Sequence, residues 1–520
     1  MIDPQDWLAH RARSTPDKLA VIYRRQKISF HKLNLMVAEL ACQLHAASVL
    51  PGDHVAVLLH NRLEFICLIH ALARLSAVIV PLNVRLTKDE LEWQIKQANA
   101  SFLICSQETE DTFTTVDNPR LQIISVDEPI NAGVTSLNRF PVRDADKWLS
   151  KPLNTNNLQS IVFTSGTTGQ PKGAMLTFAN HLWSAAASAS RLGLDPEDRW
   201  LICMPLFHVG GMSIVLRSCL YGTSIVLQTG FKPLAVKRAI TDQGITLVSL
   251  VPTMLQRILD TGKNKFLQAN LRLVLLGGAA TPMPLLEQCA SLSIPVVTTY
   301  GLTEACSQLA TSTVNGVRRK PGCVGKPLMF TDIKIINDVG EYLPPGEIGE
   351  IVAFGPNIMK GYYKQYEHTK EILQNGKLHT GDMGYLDEDG DLWVIQRRND
   401  LIVSGGENIY PSEVERVLLS HPSIHGACVV GLEDEEWGQR VATAIVTMPG
   451  VKLQESDVIN FCRESLAGYK IPKIIKFLNV LPTTASGKIG REAVRTEIYK
   501  LIEQEKKNAR KAPKLRAPRP

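Results

Sequence analysis

The chain has 520 residues, 44% apolar and 21% charged, which is too long for one hydrophobic core and reads as an ordinary globular protein of two or three domains. Ten cysteines are scattered with no Cys-x-x-Cys pair and no Cys/His cluster at metal spacing, so neither a disulfide framework nor a zinc site is expected. Of the net charge of +6, seven basic residues with no acid fall in 506–520, leaving the rest of the chain at about −1, and no nucleic-acid partner is expected of a nearly neutral globule.

The chain opens Met1-Ile2-Asp3-Pro4, not with a basic segment before an apolar run, so no secretory signal is expected and the expected location is cytoplasmic. Residues 55–59 read as a strand, 63–75 as a helix and 77–80 as a strand. The apolar run 65–82, broken by His70 and Arg74 and closed by Pro81, is therefore a helix followed by a buried strand and not an integral membrane segment. Thr87-Lys88-Asp89-Glu90 has the form of a capping box opening a helix that carries Leu91, Ile95 and Ala98. This alternation of helix and strand predicts a mostly parallel sheet covered by helices. Near 330 the texture changes to short strands such as 333–336 and 350–354, a β-rich subdomain over about 325–398 within a domain spanning 1–398. A second globule, 399–505, is predicted with a capping box at Ser412-Glu413-Val414-Glu415 and strands 427–430 and 441–446 flanking an acidic loop at 433–437. Residues 506–520, basic and holding Pro513, Pro518 and Pro520, are expected to be a disordered tail.

The densest chemistry lies at Thr164-Ser165-Gly166-Thr167-Thr168-Gly169-Gln170-Pro171-Lys172-Gly173. Its glycines let backbone N–H groups crowd an anion, its hydroxyls add donors and Lys172 adds charge. Following the apolar 161–163 and leading toward a helix-like segment, it is expected where strand ends meet helix N-termini and nucleotides bind. It is not a Walker A loop, because Pro171 stands five positions after Gly166 and Gly173 follows the lysine.

Four further segments follow in order: Tyr300-Gly301-Leu302-Thr303-Glu304; Thr380-Gly381-Asp382; Arg397-Arg398-Asn399-Asp400 running into Ser404-Gly405-Gly406-Glu407-Asn408-Ile409-Tyr410-Pro411; and Ser486-Gly487-Lys488. With the loop they resemble the acyl-adenylate-forming superfamily of acyl-CoA synthetases, peptide-synthetase adenylation domains and luciferases, over essentially residues 1–500. The resemblance implies an α/β fold with a large N-terminal domain of doubly wound sheets plus a small β-rich subdomain, followed by a mobile α+β C-terminal lid hinged at Asn399, where many relatives carry Asp or Lys. It also implies ATP, Mg²⁺ and CoA, and a homo-oligomer as in many relatives.

Activating a carboxylic acid requires a carboxylate to attack the α-phosphate of ATP, and two anions approach only if counter-charge is supplied. The resemblance assigns that cation to Lys488 and Mg²⁺ to Glu304. It assigns Thr164, Ser165, Gly166, Thr167, Thr168, Gly169, Lys172, Gly301 and Thr303 to the nucleotide, with Tyr300 against the adenine, Asp382 accepting from both ribose hydroxyls and Arg397 on the ribose or phosphate side. A thiol then displaces AMP, and a strand at Ser404-Gly405-Gly406, bare at two successive positions, leaves space for a pantetheine arm.

For the acid, Pro205-Leu206-Phe207-His208-Val209-Gly210-Gly211-Met212 matches the superfamily's substrate-side turn, with His208 as a gate, and Gly277-Gly278-Ala279-Ala280 would floor the pocket. The stretch from Phe207 to Ser213 with Arg217, Leu275 to Gly278, and Thr303 to Gln308 including Ser307 resemble the o-succinylbenzoate-CoA ligases of menaquinone biosynthesis, which often carry Thr where Ala305 stands here. Such a dicarboxylic aromatic substrate needs a cation for the carboxylate that is not activated, and Arg217 is the candidate. Alternatives are a fatty-acid or aryl-acid CoA ligase and a free-standing carrier-protein-loading adenylation enzyme.

Overall fold

The computed structural model describes residues 6–113, 121–164, 171–262, 271–396, 401–482 and 489–511. They fall into two compact units, one of residues up to 396 and one of residues from 401 onward.

In the first unit, strands such as Leu247–Leu250, apolar but for Ser249, and the wholly apolar Leu273–Leu276 are buried at every position, as parallel strands covered on both faces must be. Among the described residues, nine strands form one sheet. From Val296–Leu302 through Leu273–Leu276, Leu247–Leu250, Arg199–Ile202 and Ser224–Leu227 to Leu19–Tyr23 the neighbours run parallel. Ser307–Thr311 and Lys326–Pro327 add antiparallel strands at one edge, and Gln26–Ser29 at the other. A second sheet of eight strands contains the parallel run Leu158–Thr164, Val78–Pro81, His54–Val57, Phe102–Cys105, Gln122–Ser125 and Val134–Ser136. Helix Leu63–Arg74, buried at every position but Glu64, belongs to a core cluster that includes strands of both sheets. Each of its fully buried Leu, Ile and Phe side chains contributes about 1.5–3 kcal/mol. Its one buried cation, Arg74, is answered by Asp6 at 2.6 Å and by Asn34. The capping box at Thr87 forms, opening Lys88–Gln97.

The β-rich part is an antiparallel sheet built on Asp332–Ile336, Gly349–Phe354, Lys377–Leu386 and Leu392–Gln396. Lys320, just after helix Val314–Arg319, donates to Asp387, Asp389 and Asp391 at 2.7, 2.6 and 2.8 Å. It thereby ties the turn between the last two strands to the large sheet's periphery. Burial works against ionisation of Asp387, yet Lys320 and the Trp393 N–H hold it down at about 2.

In the second unit, hairpin Ile424–Asp434 and Gly438–Thr447 turns at the acidic loop, with Ile402–Ser404 and Ile474–Phe477 beside it. Two expectations are corrected. Ser412 does not cap a helix: Pro411 takes the first position of Pro411–Leu419, where its missing N–H costs nothing, and Ser412 lies inside the first turn. Glu415 instead binds Arg491 and the Val429 N–H. The basic tail is also not unfolded from 506, because helix Arg491–Lys511 runs through its first part. Residues 512–520 lie outside the described residues. No helix among the described residues is long and apolar enough to cross a membrane.

Candidate active site

Strands Arg199–Ile202, Leu247–Leu250, Leu273–Leu276 and Val296–Leu302 share one direction, so the segments leaving their C-terminal ends gather at one carboxyl edge, where open α/β sheets hold ligands. After the first comes His208, the N-cap of helix Val209–Tyr221, with its ring 4.7 Å from that of Phe207. Gly211 is required here, since a Cβ would lie 2.3 Å from the Pro205 carbonyl oxygen. After the third come Gly277 and Gly278. A Cβ at Gly277 would meet the Thr299 methyl at 2.7 Å, and Gly278 adopts φ +80°, so the expected pocket floor is bare because a side chain has no place there. The fourth strand carries Tyr300 and Gly301 and runs into the short turn Thr303–Ala305 with Glu304.

Two tyrosine–carboxylate hydrogen bonds bring the other sheets to this edge. Tyr300, 2% exposed, donates to Asp382 Oδ2 at 2.6 Å, so what it presents to the site is its hydroxyl. Asp382 is set by its own turn: Thr380 Oγ1 donates to the Ile351 carbonyl at 2.6 Å, and Gly381, at φ +70°, donates its N–H to Glu350 Oε1 at 2.9 Å. Tyr362, from the edge strand Gly361–Tyr362 of the eight-stranded sheet, donates to Glu304 Oε1 at 2.6 Å. Its ring lies 5.5 Å from the Lys172 ammonium, a cation–π contact.

Arg217 is 2% exposed. Its Nη2 donates to Ser184 Oγ at 3.1 Å, and that hydroxyl donates to the Cys306 carbonyl at 2.7 Å. No carboxylate among the described residues pairs with Arg217. Burial lowers its pKa, as expected of a guanidinium taken out of water without a counter-ion. His181 lies beside it, Nδ1 3.2 Å from Cys306 Sγ. Burial, helped by the Arg217 charge, pushes His181 down to about 3, and burial pushes the Cys306 thiol up to about 12. Histidine and thiol are therefore both neutral at ordinary pH, and Cys306 is no nucleophile. Ser307 follows at φ +98°, packed so closely on Gly301 that a Cβ there would overlap its carbonyl.

The phosphate loop's surroundings differ from expectation. Thr164 ends strand Leu158–Thr164, but Lys172 begins a second strand, Lys172–Thr177, antiparallel to the first. The loop therefore joins two strands and does not lead directly to a helix N-terminus. Pairing along the whole strand, from Leu158↔Thr177 to Thr164↔Lys172, outweighs the loop-like composition at Lys172-Gly173. Helix Phe178–Leu192 starts only after a capping box of Thr177 with Asn180. Ser165, Gly166, Thr167, Thr168, Gly169, Arg397, Asn399 and Lys488 lie outside the described residues. In the second unit, Gly405 and Gly406 form the turn between Ile402–Ser404 and Glu407–Ile409, not a strand. Both have positive φ, +58° and +86°, as a two-residue hairpin turn demands, and the Trp437 ring covers Gly405 at 2.7 Å from where its Cβ would be.

Sequence reading missed Tyr362, Ser184 and His181. Their contacts with the 304–306 turn span 58, 122 and 125 residues, so no local spacing reports them.

The description "AMP-binding enzyme" matches residues 8–363, and "AMP-binding enzyme C-terminal domain" matches residues 413–488. The chain is 41% identical over 505 residues to a 2-succinylbenzoate–CoA ligase of Bacillus cytotoxicus, covering 96% of this chain and 99% of that one. It is similar in structure to an o-succinylbenzoate CoA synthetase of Bacillus subtilis, a double mutant bound with the product analogue OSB-NCoA, at TM-score 0.85 and 38% identity over 94% of this chain and 98% of that one. The same Bacillus subtilis enzyme in complex with ATP and magnesium matches at TM-score 0.69 and 38% identity, with the same coverage. A carboxyl-edge site fed by three sheets and a family match over most of the length lead to one conclusion: the chain belongs to the AMP-binding enzyme family.

Proposed function

We propose that this chain is an ATP-dependent o-succinylbenzoate–CoA ligase of menaquinone biosynthesis. The observation that carries the choice of acid is Arg217, a buried guanidinium beside the turn that holds Ser307, with no carboxylate of its own among the described residues. A substrate with a second carboxylate supplies the counter-charge that such a site lacks. A fatty acid or benzoate does not.

In the first step a carboxylate oxygen of the acid attacks the α-phosphorus of ATP, the bond to pyrophosphate breaks and acyl-AMP forms. In the second, the CoA sulfur attacks the acyl carbon, the bond to AMP breaks and the thiol proton passes to solvent. His208 gates the acid, Gly277 and Gly278 line its floor and Ser307 lies against it. Asp382, held by Tyr300, accepts from the ribose hydroxyls, with Arg397 beside it. Thr164, Lys172, Gly301 and Thr303, with residues 165–169, surround the phosphates, and Lys488 answers the charge that develops at the α-phosphate. Glu304 is a half-exposed carboxylate oriented through one oxygen by Tyr362, a hard donor that fits Mg²⁺. When bound, the ion neutralises phosphate charge. The turn of Gly405, covered by the Trp437 ring, and Gly406 is assigned to the CoA arm, and Asn399 is the hinge between the two steps. Ten free, buried cysteines fit a reducing compartment, and we place the protein in the cytoplasm.

The test is acid-dependent pyrophosphate release with o-succinylbenzoate, benzoate and octanoate, in wild type and Arg217→Ala. The variant is expected to raise KM for o-succinylbenzoate about tenfold or more while KM for ATP moves less than about twofold. Equal turnover of all three acids, or equal small changes in both KM values, removes this substrate assignment.

A further inference from the structure

Cys306 and Ser307 are consecutive non-glycine residues with left-handed backbone, φ +53° and +98°. Side-chain-bearing residues hold such angles only where the surroundings enforce them. Here the enforcing contacts converge from distant elements. The Glu304 carbonyl accepts the Met359 N–H at 2.8 Å, and the Ala305 carbonyl accepts from Asn357 Nδ2 at 3.0 Å. The Cys306 carbonyl accepts from Ser184 Oγ at 2.7 Å, and its sulfur meets His181 Nδ1 at 3.2 Å. His181 and Ser184 stand three apart on helix Phe178–Leu192, on one face. That helix begins where strand Lys172–Thr177 ends, and Lys172 at the strand's other end lies over the Tyr362 ring whose hydroxyl holds Glu304. Polar atoms buried in a helix face cost stability unless they find partners; His181 Nδ1 and Ser184 Oγ find theirs on the same residue of the turn, while His181 Nε2 is buried without one among the described residues.

We infer that His181 and Ser184 are positioning residues of the reaction: through Cys306 they hold the 303–307 turn in its left-handed shape, and so aim Glu304 and Ser307 from one side while Tyr362 aims Glu304 from the other. The helix is thus a rigid link between the flank of the phosphate loop and the turn facing the acid, and neither residue touches substrate. Cys306 serves as the handle, small enough for the turn and polar enough to be gripped at both its sulfur and its carbonyl.

The inference rests on the ligase reading, and its test separates the two. Full-length His181→Ala, His181→Asn, Ser184→Ala and Cys306→Ala are compared for kcat, KM and the rate at which iodoacetamide labels Cys306 in the native protein, read by peptide mass spectrometry with buried Cys203 as internal control. His181→Ala and Cys306→Ala are each expected to lower kcat about tenfold or more with KM for ATP changed less than about twofold, since small misplacement of positioned groups is felt in the transition state. The His181→Ala/Cys306→Ala double variant should be no slower than the slower single, because both remove one contact. His181→Asn, which keeps a polar atom near Nδ1, should retain kcat within about threefold. In His181→Ala and in the milder Ser184→Ala, Cys306 labelling should accelerate while Cys203 labelling does not. Parallel acceleration at both cysteines, or wild-type kcat in His181→Ala and Cys306→Ala, overturns the inference. The labelling readout holds whichever acid the enzyme activates.

Discussion

Tyr300 stands in the core cluster of the β-rich region, yet its hydroxyl reaches out of that cluster to Asp382. Phenylalanine would fill the same volume, so the hydroxyl's contribution is the orientation of one carboxylate. Removing it leaves Asp382 Oδ2 without the tyrosine donor and lets the carboxylate turn away from a cis diol. Losing a hydrogen bond to a charged group costs about 1.5–3 kcal/mol at most when buried, and less where water can replace the donor. Tyr300→Phe is therefore expected to raise KM for ATP about three- to tenfold, with kcat and KM for the acid within about twofold. Steady-state kinetics with each substrate varied in turn decide this. An unchanged KM for ATP would mean that the Thr380-Gly381-Asp382 turn, gripped by Glu350 and Ile351, orients the carboxylate unaided.

At the scale of elements, helix Leu63–Arg74 shows how the core responds to acid. His70 is buried on it, Nε2 3.5 Å from Cys219 Sγ. Burial drives its pKa down to about 4, with Asp6 opposing and Arg74 assisting. The folded value lies below the unfolded one near 6.5, so between the two the unfolded chain binds a proton that the native protein refuses. The stability due to neutral His70 is then fully present above about pH 6.5 and is lost as pH falls toward 4. By pH 5 the loss reaches about 2 kcal/mol relative to pH 7. Urea unfolding at pH 7 and pH 5 should show a smaller drop for His70→Gln than for wild type by about that amount, and parallel drops would acquit His70.

The same helix was legible in the sequence, because an apolar run interrupted by His70 and Arg74 and followed by the strand closed by Pro81 has few other solutions in a globular fold. So was the helix opened by Thr87, whose cap and carboxylate lie three residues apart. What was not legible depends on partners far along the chain. Lys172–Thr177 is a strand because Leu158–Thr164 offers it a complete ladder, while its own first residues read as loop. Ser412 falls inside the helix because Pro411, whose fixed φ suits the first helical position, starts it one residue earlier, with Tyr410 as the N-cap. In the site, motif residues such as Glu304 and Asp382 carry a local signature, whereas Tyr362, Ser184 and His181, which hold the turn bearing Glu304, do not.

On the scale of the whole molecule, the two steps make different demands. Forming the mixed anhydride drives a carboxylate onto a phosphate, and the repulsion is largest at the α-phosphorus, where negative charge grows as pyrophosphate leaves. Thioester formation places a sulfur on a carbonyl carbon already activated, and the leaving AMP carries its charge away without a second anion approaching it. Lys488, at the end of the match to the C-terminal domain, is assigned to the first demand alone. Lys488→Ala should therefore lower acyl-AMP formation by about 10²–10³-fold, the usual effect of deleting one preorganised charge or donor from a developing anion. Thioester formation from supplied o-succinylbenzoyl-AMP and CoA should stay within about threefold of wild type. Rapid-quench measurement of each half-reaction separates the two. Equal losses in both would mean that Lys488 serves the fold of the second unit or the binding of AMP throughout, and that the α-phosphate finds its counter-charge in Arg397 or Lys172 instead.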